Sequence, residues 1–123
     1  MNGSKLVLDT NIVLYLLSGD KTIEEFLEGK EGYVSIITEL ELLGYPEISA
    51  KELNKITAFL EDCVVVDIND EIKKIYSSLR RNYKLKLGDT IVAATAIYLE
   101  FPLITADKKF SQITELNITL YNP

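Results

Sequence analysis

The chain has 123 residues, of which 47% are hydrophobic and 26% charged, and this length and composition predict a single globular domain over residues 1–123. It contains no histidine, which excludes histidine-based acid–base catalysis, histidine-activated nucleophiles and the common zinc sites. Its net charge of −6 argues against broad electrostatic adhesion to nucleic acid or to an anionic membrane, so an anionic substrate would require recruited cations.

The first third of the chain alternates short apolar runs with helical segments. Leu6–Leu8 is the first predicted strand, and Thr10–Leu17 has helical propensity. Thr22–Glu25 matches a capping box at the start of a short helix. Gly32–Ile37 is the second predicted strand.

The middle of the chain continues the same alternation. Thr38 and Glu41 match a second capping box, which predicts a helix running to Gly44, and Ser49–Glu52 matches a third. Cys63–Ile68 is the third predicted strand, and Asn69–Tyr83 is a helix with one apolar face.

The last third contains an almost wholly apolar segment, Gly88–Leu99, which predicts a core helix. Pro102–Thr105 is the fourth predicted strand and Ile118–Tyr121 the fifth. Strands that alternate with helices favour a mostly parallel sheet covered on both faces. The predicted class is therefore α/β, with four to five strands.

No apolar run approaches the roughly 18 residues of a membrane span, and no signal-peptide pattern is present. The single cysteine, Cys63, has no possible disulfide partner within the chain and is expected to be a small core residue. We therefore expect a cytoplasmic protein without a membrane partner.

Four acidic residues interrupt or border apolar segments: Asp9, Glu41, Asp89 and Asp107. Each also has a purely structural interpretation. Asp9 can cap the first helix, Glu41 can close a capping box, Asp89 can complement a helix dipole, and Asp107 can be a turn residue. Gathered at the carboxyl edge of a parallel sheet, they would repel one another unless a divalent cation lay among them. Mg²⁺ and Mn²⁺ prefer such oxygen ligands.

Four segments, in this order, resemble the successive motifs of the PIN domain, especially the VapC-type toxins of bacterial and archaeal toxin–antitoxin pairs: LVLDTN, VSIITELELLGYP, LKLGDTIVAATAIY and LITADKKF. The resemblance implies a three-layer α/β/α sandwich that binds Mg²⁺ or Mn²⁺ and hydrolyses RNA phosphodiesters. It also implies a homodimer and a small antitoxin protein as partner.

The resemblance assigns a role to each acid. Asp9 corresponds to the central metal ligand, and Asp89 and Asp107 complete the metal site directly or through water. Glu41 corresponds to the second acid, which binds metal or orients the attacking water, and Glu39 is the competing choice. Accompanying polar side chains are expected to hold the acids or a metal-bound water; they are Thr10, Asn11, Thr38 and Thr105. Gly88-Asp89-Thr90 stands where Pro-Asp-Ala is frequent, which predicts a looser start of that helix.

Basic residues flank two of the acids in the sequence and are candidates for gripping RNA phosphates. They precede Asp89 and follow Asp107, and a tyrosine among them offers a stacking platform for a base. These candidates are Arg80, Arg81, Tyr83, Lys84, Lys86, Lys108 and Lys109. The alternative is that they form a solvated helix end and loop.

A different class of function is a non-catalytic module whose acids hold a structural ion or accept a partner's arginines. Both this interpretation and the enzymatic one predict a docked partner. We expect apolar helical faces around Leu40, Leu43, Leu53 and Ile56 to supply the docking surface. A phosphatase or receiver-type domain fits less well, because D-T-N lacks the second aspartate of a phosphotransfer DxD pair.

Overall fold

The computed structural model describes residues 4–123, which contain five strands in one fully parallel sheet of order β3-β2-β1-β4-β5. The strands are β1 (Lys5–Leu8), β2 (Glu31–Ser35), β3 (Val64–Val66), β4 (Leu103–Thr105) and β5 (Ile118–Leu120). The predicted α/β class with a parallel sheet is confirmed.

Six α-helices and one 3-10 helix connect the strands. They are α1 (Thr10–Leu17), α2 (Lys21–Leu27), α3 (Ile36–Leu43), α4 (Ala50–Glu61), α5 (Asp70–Asn82), α6 (Leu87–Leu99) and the 3-10 helix Lys108–Gln112. Within residues 4–123, none of the helices combines the length and the apolar composition that crossing a bilayer requires.

The side chains of the central strand point alternately into two hydrophobic cores. Val7 is fully buried in a core with residues of α5 and α6. Leu6 and Leu8 are buried on the other side, in a core to which α1, α2, α3 and α4 each contribute. Alternation with a period of two places successive residues on opposite faces of a sheet. The sheet is therefore the middle layer of an α/β/α sandwich, as expected.

Helix α3 begins earlier than the sequence pattern suggested. The Ser35 hydroxyl accepts a hydrogen bond from the backbone N–H of Ile37 at 3.1 Å, so Ser35 caps the helix and the preceding strand ends there. The predicted strand Gly32–Ile37 was thus too long, and the predicted capping box of Thr38 and Glu41 was wrong. Both residues lie inside the helix, where their side chains are available for contacts with other elements.

Two more helix starts test the capping predictions. The box at Thr22–Glu25 was wrong, because the carboxylate of Asp20 caps α2 by accepting from Ile23 N at 3.1 Å. The box at Ser49 is confirmed, since Ser49 and Glu52 exchange hydrogen bonds at 3.1 and 3.2 Å.

Two further predictions need correction. The third strand covers Val64–Val66 rather than Cys63–Ile68, because it lies at the sheet edge and pairs only with the last three residues of β2. Ile56 is only 5% exposed and packs in the core beneath α4, so it cannot belong to an exposed docking face. The amphipathic spacing of α4 identified its apolar positions but did not show which of them are buried and which are exposed.

Helix α6 begins at Leu87 without a side-chain cap, since Lys86 occupies the capping position. The first turn is tied instead by Thr90, whose hydroxyl donates to the Lys86 carbonyl at 2.7 Å. Gly88 is the second residue of this helix, and a Cβ added there would meet only Ile37 Cγ2, at an ordinary contact distance of 3.4 Å.

We predict that Gly88→Ala raises the free energy of unfolding by about 0.5–1 kcal/mol, because alanine loses less backbone entropy than glycine inside a helix. Denaturant unfolding measures the change. Gly44→Ala is the matched control: its added Cβ would lie 3.0 Å from the Leu40 carbonyl oxygen and should bring no comparable gain. A loss of stability in Gly88→Ala would contradict the prediction.

Candidate active site

The carboxyl ends of β1 and β4 mark the point where the chain reverses its direction of travel across the sheet. From β1 the chain proceeds to β2 and β3 on one side, whereas β4 and β5 add on the other side. Ligands of open α/β sheets bind in the crevice at such a switch point. Asp9 directly follows β1 and Asp107 follows β4 by two residues, so both acids lie at this crevice.

Asp9 is only 7% exposed, and three hydrogen bonds hold its carboxylate. Oδ1 accepts from Thr10 N at 2.8 Å. Oδ2 accepts from the Thr105 hydroxyl at 2.7 Å and from Asn11 Nδ2 at 3.2 Å. Asn11 is itself held by the backbone N–H of Ala106, which donates to its Oδ1 at 3.2 Å. Asp9 also caps α1, so the capping and site interpretations are compatible.

Burial raises the pKa of Asp9 above its ordinary value, although the hydrogen bonds from Thr105 and Thr10 act in the opposite direction. The charges of Asp89 and Glu41 raise it further. These two acids are therefore close enough for their charges to act on Asp9. An added cation would favour the ionised form of the carboxylate.

Glu41 joins the site through a threonine hydroxyl. Thr10 Oγ1 donates to Glu41 Oε1 at 2.6 Å and lies 3.1 Å from the hydroxyl oxygen of the buried Thr38. Thr38 thus packs against Thr10 instead of capping α3. Glu39 lies in the first turn of the helix, and in residues 4–123 the carboxylate that accepts from the Thr10 hydroxyl is that of Glu41.

Asp107 and Asp89 share a lysine. Lys109 Nζ lies 3.2 Å from Asp89 Oδ2 and 3.2 Å from Asp107 Oδ2. The two carboxylates raise the pKa of this ammonium group. Asp107 is tied to the Asp9 cluster as well, because its backbone N–H donates to the Thr105 hydroxyl at 3.0 Å. A chain of polar contacts therefore runs from Glu41 through Asp9 to Asp89.

The donor set is one of hard oxygen atoms, which suits Mg²⁺ or Mn²⁺. Within residues 4–123, no three acidic or cysteine side chains lie close enough together to form a complete metal site in this conformation. Mg²⁺ in proteins is commonly held by one or two carboxylates and several waters, so a complete cage is not required. The ammonium of Lys109 lies between Asp89 and Asp107, so one positive charge already balances part of their negative charge.

A surface cavity of about 530 Å³ lies next to the acids through their shared Lys109, and four of its six lining residues are basic. Its lining residues are Arg80, Tyr83, Lys84, Leu85, Lys86 and Lys109. Arg81 and Lys108 are exposed and do not line it. The Tyr83 hydroxyl donates to Glu115 Oε1 at 2.6 Å, which anchors the ring at the cavity wall. Five of the seven basic and aromatic candidates, Lys109 among them, thus face one space.

Sequence reasoning missed the position of Lys109 between two acids, having grouped it only with the phosphate contacts. The available signal was its spacing of two residues from Asp107, which caps the 3-10 helix and accepts from Lys109 N at 2.9 Å. Cys63 is half-buried, and burial raises the pKa of its thiol to about 11. The thiol is therefore protonated at neutral pH and unsuited to nucleophilic catalysis.

Residues 6–116 match the family model of the PIN domain. No curated protein matches the chain significantly. Among solved structures, a toxin–antitoxin complex from Klebsiella pneumoniae is 29% identical, with 93% of this chain and 95% of that chain covered and a TM-score of 0.78. VapBC-1 from nontypeable Haemophilus influenzae is 27% identical, with 94% and 97% covered and a TM-score of 0.79.

VapBC2 from Rickettsia felis, solved bound to a DNA fragment from its promoter, reaches a TM-score of 0.85. It is 21% identical, with 96% of this chain and 99% of that chain covered, and at that identity it supports the fold alone. The family match spans nearly the whole chain and includes Asp9, Glu41, Asp89 and Asp107. This protein belongs to the PIN domain family.

Proposed function

We propose that this protein is a metal-dependent endoribonuclease and the toxin of a type II toxin–antitoxin pair. The observation that carries the proposal is the connected set of polar contacts that joins Glu41, Asp9, Asp107 and Asp89 at the sheet's switch point. Membership of the PIN domain family supports the same chemistry. The absence of histidine removes the commonest acid–base group of enzymes, and the carboxylates of this site can take that role.

Asp9, Asp89 and Asp107 would hold Mg²⁺ or Mn²⁺. When bound, such an ion lowers the pKa of a coordinated water and neutralises charge that develops on a phosphate. Thr105 and Asn11 donate hydrogen bonds that hold the Asp9 carboxylate in one orientation. The carboxylate is therefore already oriented before a metal ion binds. Glu41 is exposed, and Thr10 bonds only one of its oxygens, so the carboxylate can accept a proton from the attacking water or orient it.

RNA is the proposed substrate because a basic cavity adjoins the acids in a protein of net charge −6. Positive charge is thus concentrated where a phosphate backbone would lie, and it neutralises phosphates beside the acids. Arg80, Lys84 and Lys86 are the proposed phosphate contacts, with Tyr83 offering a ring face to a base. Arg81 and Lys108 would contact RNA only beyond this cavity.

The proposed partner is a small antitoxin protein, because two of the similar structures are described as toxin–antitoxin or VapBC complexes at 27–29% identity. Three leucines of the predicted docking face are exposed: Leu40 at 58%, Leu43 at 42% and Leu53 at 38%. Exposed apolar groups that cluster on one surface are typical of interaction sites. We further propose a homodimer that acts in the cytoplasm and has no membrane partner.

The direct test is RNA cleavage by the purified protein. Wild type should cleave RNA in Mg²⁺ or Mn²⁺ and lose that activity in excess EDTA. Asp9→Asn should lose activity by at least about 100-fold while unfolding near the wild-type temperature without metal. Its lost hydrogen bonds are offset by removal of a buried charge that, with a raised pKa, costs stability at neutral pH. Cleavage that persists in EDTA would contradict the proposal, and a protein that binds metal without cleaving would favour the non-catalytic module.

A second prediction separates the two candidate second acids. Glu41→Gln should reduce cleavage by at least about tenfold more than Glu39→Gln, because Glu41 is the acid joined to Asp9 through Thr10. Both substitutions keep side-chain size and remove one charge from the same helix, so they control for each other. Initial cleavage rates at saturating metal are the measurement. The reverse ranking would assign the role to Glu39.

A third prediction concerns toxicity. Expression in a bacterial host that lacks the partner should arrest growth, and Asp9→Asn expressed to the same level should not. Growth curves and total RNA integrity after induction are the measurements. Normal growth despite soluble protein that cleaves RNA in vitro would remove the toxin part of the proposal and leave the nuclease part intact.

A further inference from the structure

Lys109 is the residue at which the acidic centre and the basic cavity meet. Its ammonium group lies 3.2 Å from a carboxylate oxygen of Asp89 and of Asp107, and its side chain also lines the cavity with Arg80 and Lys86. Asp89 lies in the first turn of α6, and Asp107 caps the 3-10 helix that follows β4. The ammonium therefore bridges two like charges that would otherwise repel.

The geometry of Lys109 suits a counter-ion that can leave. Its side chain is 48% exposed, and exposed ion pairs contribute little net stability because water and salt screen them. The lysine side chain is flexible and carries a single positive charge. Its backbone is anchored separately, since Lys109 N donates to Asp107 Oδ1 at 2.9 Å. The ammonium can thus depart while the main chain and the Asp107 carboxylate stay in place.

We propose that Lys109 is an exchangeable counter-ion of the Asp89–Asp107 pair: a divalent metal ion displaces its ammonium group, which then turns into the basic cavity. This inference rests on the proposed metal-dependent function. The ammonium and a metal ion compete for the same oxygens, Asp89 Oδ2 and Asp107 Oδ2. After displacement the ammonium joins the positive charges that face an RNA phosphate, so Lys109 couples metal binding to the substrate side of the site.

The test is the affinity for Mn²⁺, measured by calorimetry on wild type, Lys109→Met and Lys108→Met. Methionine keeps the side-chain length and removes the competing charge, so Lys109→Met should bind Mn²⁺ about two- to tenfold more tightly than wild type. Lys108→Met removes the same charge one residue away, from an exposed side chain, and should give less than half of that gain on a logarithmic scale. Lys109→Arg, which retains a cation, should show no gain.

A second readout follows the displaced group itself. In protein with ¹³C-labelled lysine, the Lys109 Cε signal, assigned by its loss in Lys109→Arg, should shift in proportion to metal occupancy as Mg²⁺ is added. The Lys108 signal should shift far less. An unmoved Lys109 signal at saturating Mg²⁺ would overturn the inference.

The affinity outcomes distinguish this inference from the proposed function. If wild type cleaves RNA and binds Mn²⁺ while Lys109→Met binds no more tightly, the counter-ion inference fails and the nuclease stands. Equal gains in Lys109→Met and Lys108→Met would also overturn it, because a general charge effect would then suffice. If none of the proteins binds Mn²⁺, the inference and the metal-dependent activity fail together.

Discussion

The constraint on which the site depends is the burial of one ionisable carboxyl group at the end of the central strand. Transferring a charged carboxylate from water into an apolar interior is strongly unfavourable unless polar partners replace its hydration. Around Asp9 those partners come from two places: Thr10 and Asn11 follow in the sequence, and Thr105 arrives from the neighbouring strand. The need to solvate this one group therefore ties the register of β4 to the start of α1.

Charge balance is the second organising feature. Polar contacts link four carboxylates along one edge of the sheet, and the described residues bring one ammonium group, Lys109, directly against two of them. Burial raises the pKa of Asp9, and the charges of Asp89 and Glu41 raise it further, even though its hydrogen bonds lower it. The carboxylates of this centre carry more negative charge than the ammonium group of Lys109 neutralises. Its basic surroundings, with Arg80 and Lys86 at the adjoining cavity, distribute positive charge around the acids without filling the space among them.

Much of the fold could be predicted because apolar periodicity and strand–helix alternation depend on local sequence. These local patterns predicted the strand observed at Leu103–Thr105 and the core helix around Ala93 and Ala94. Helix starts were less predictable, because Ser35 and Thr38 are both cap-forming residue types and only the tertiary structure shows that Thr38 contacts Thr10 instead. The role of Lys109 was hidden for a similar reason: Asp89 is twenty residues away, and only tertiary structure brings the pair together.

The hydrogen bond between Thr105 and Asp9 joins residues that are 96 positions apart, and this separation has a consequence during synthesis on the ribosome. At roughly 5–20 residues per second, about 5 to 20 seconds pass between the translation of Asp9 and that of Thr105. Throughout that interval the nascent chain contains Asp9 but neither Thr105 nor Asp107, so the crevice cannot assemble. A growing polypeptide of this sequence consequently holds Asp9 without its full set of hydrogen-bond partners until the fourth strand has emerged.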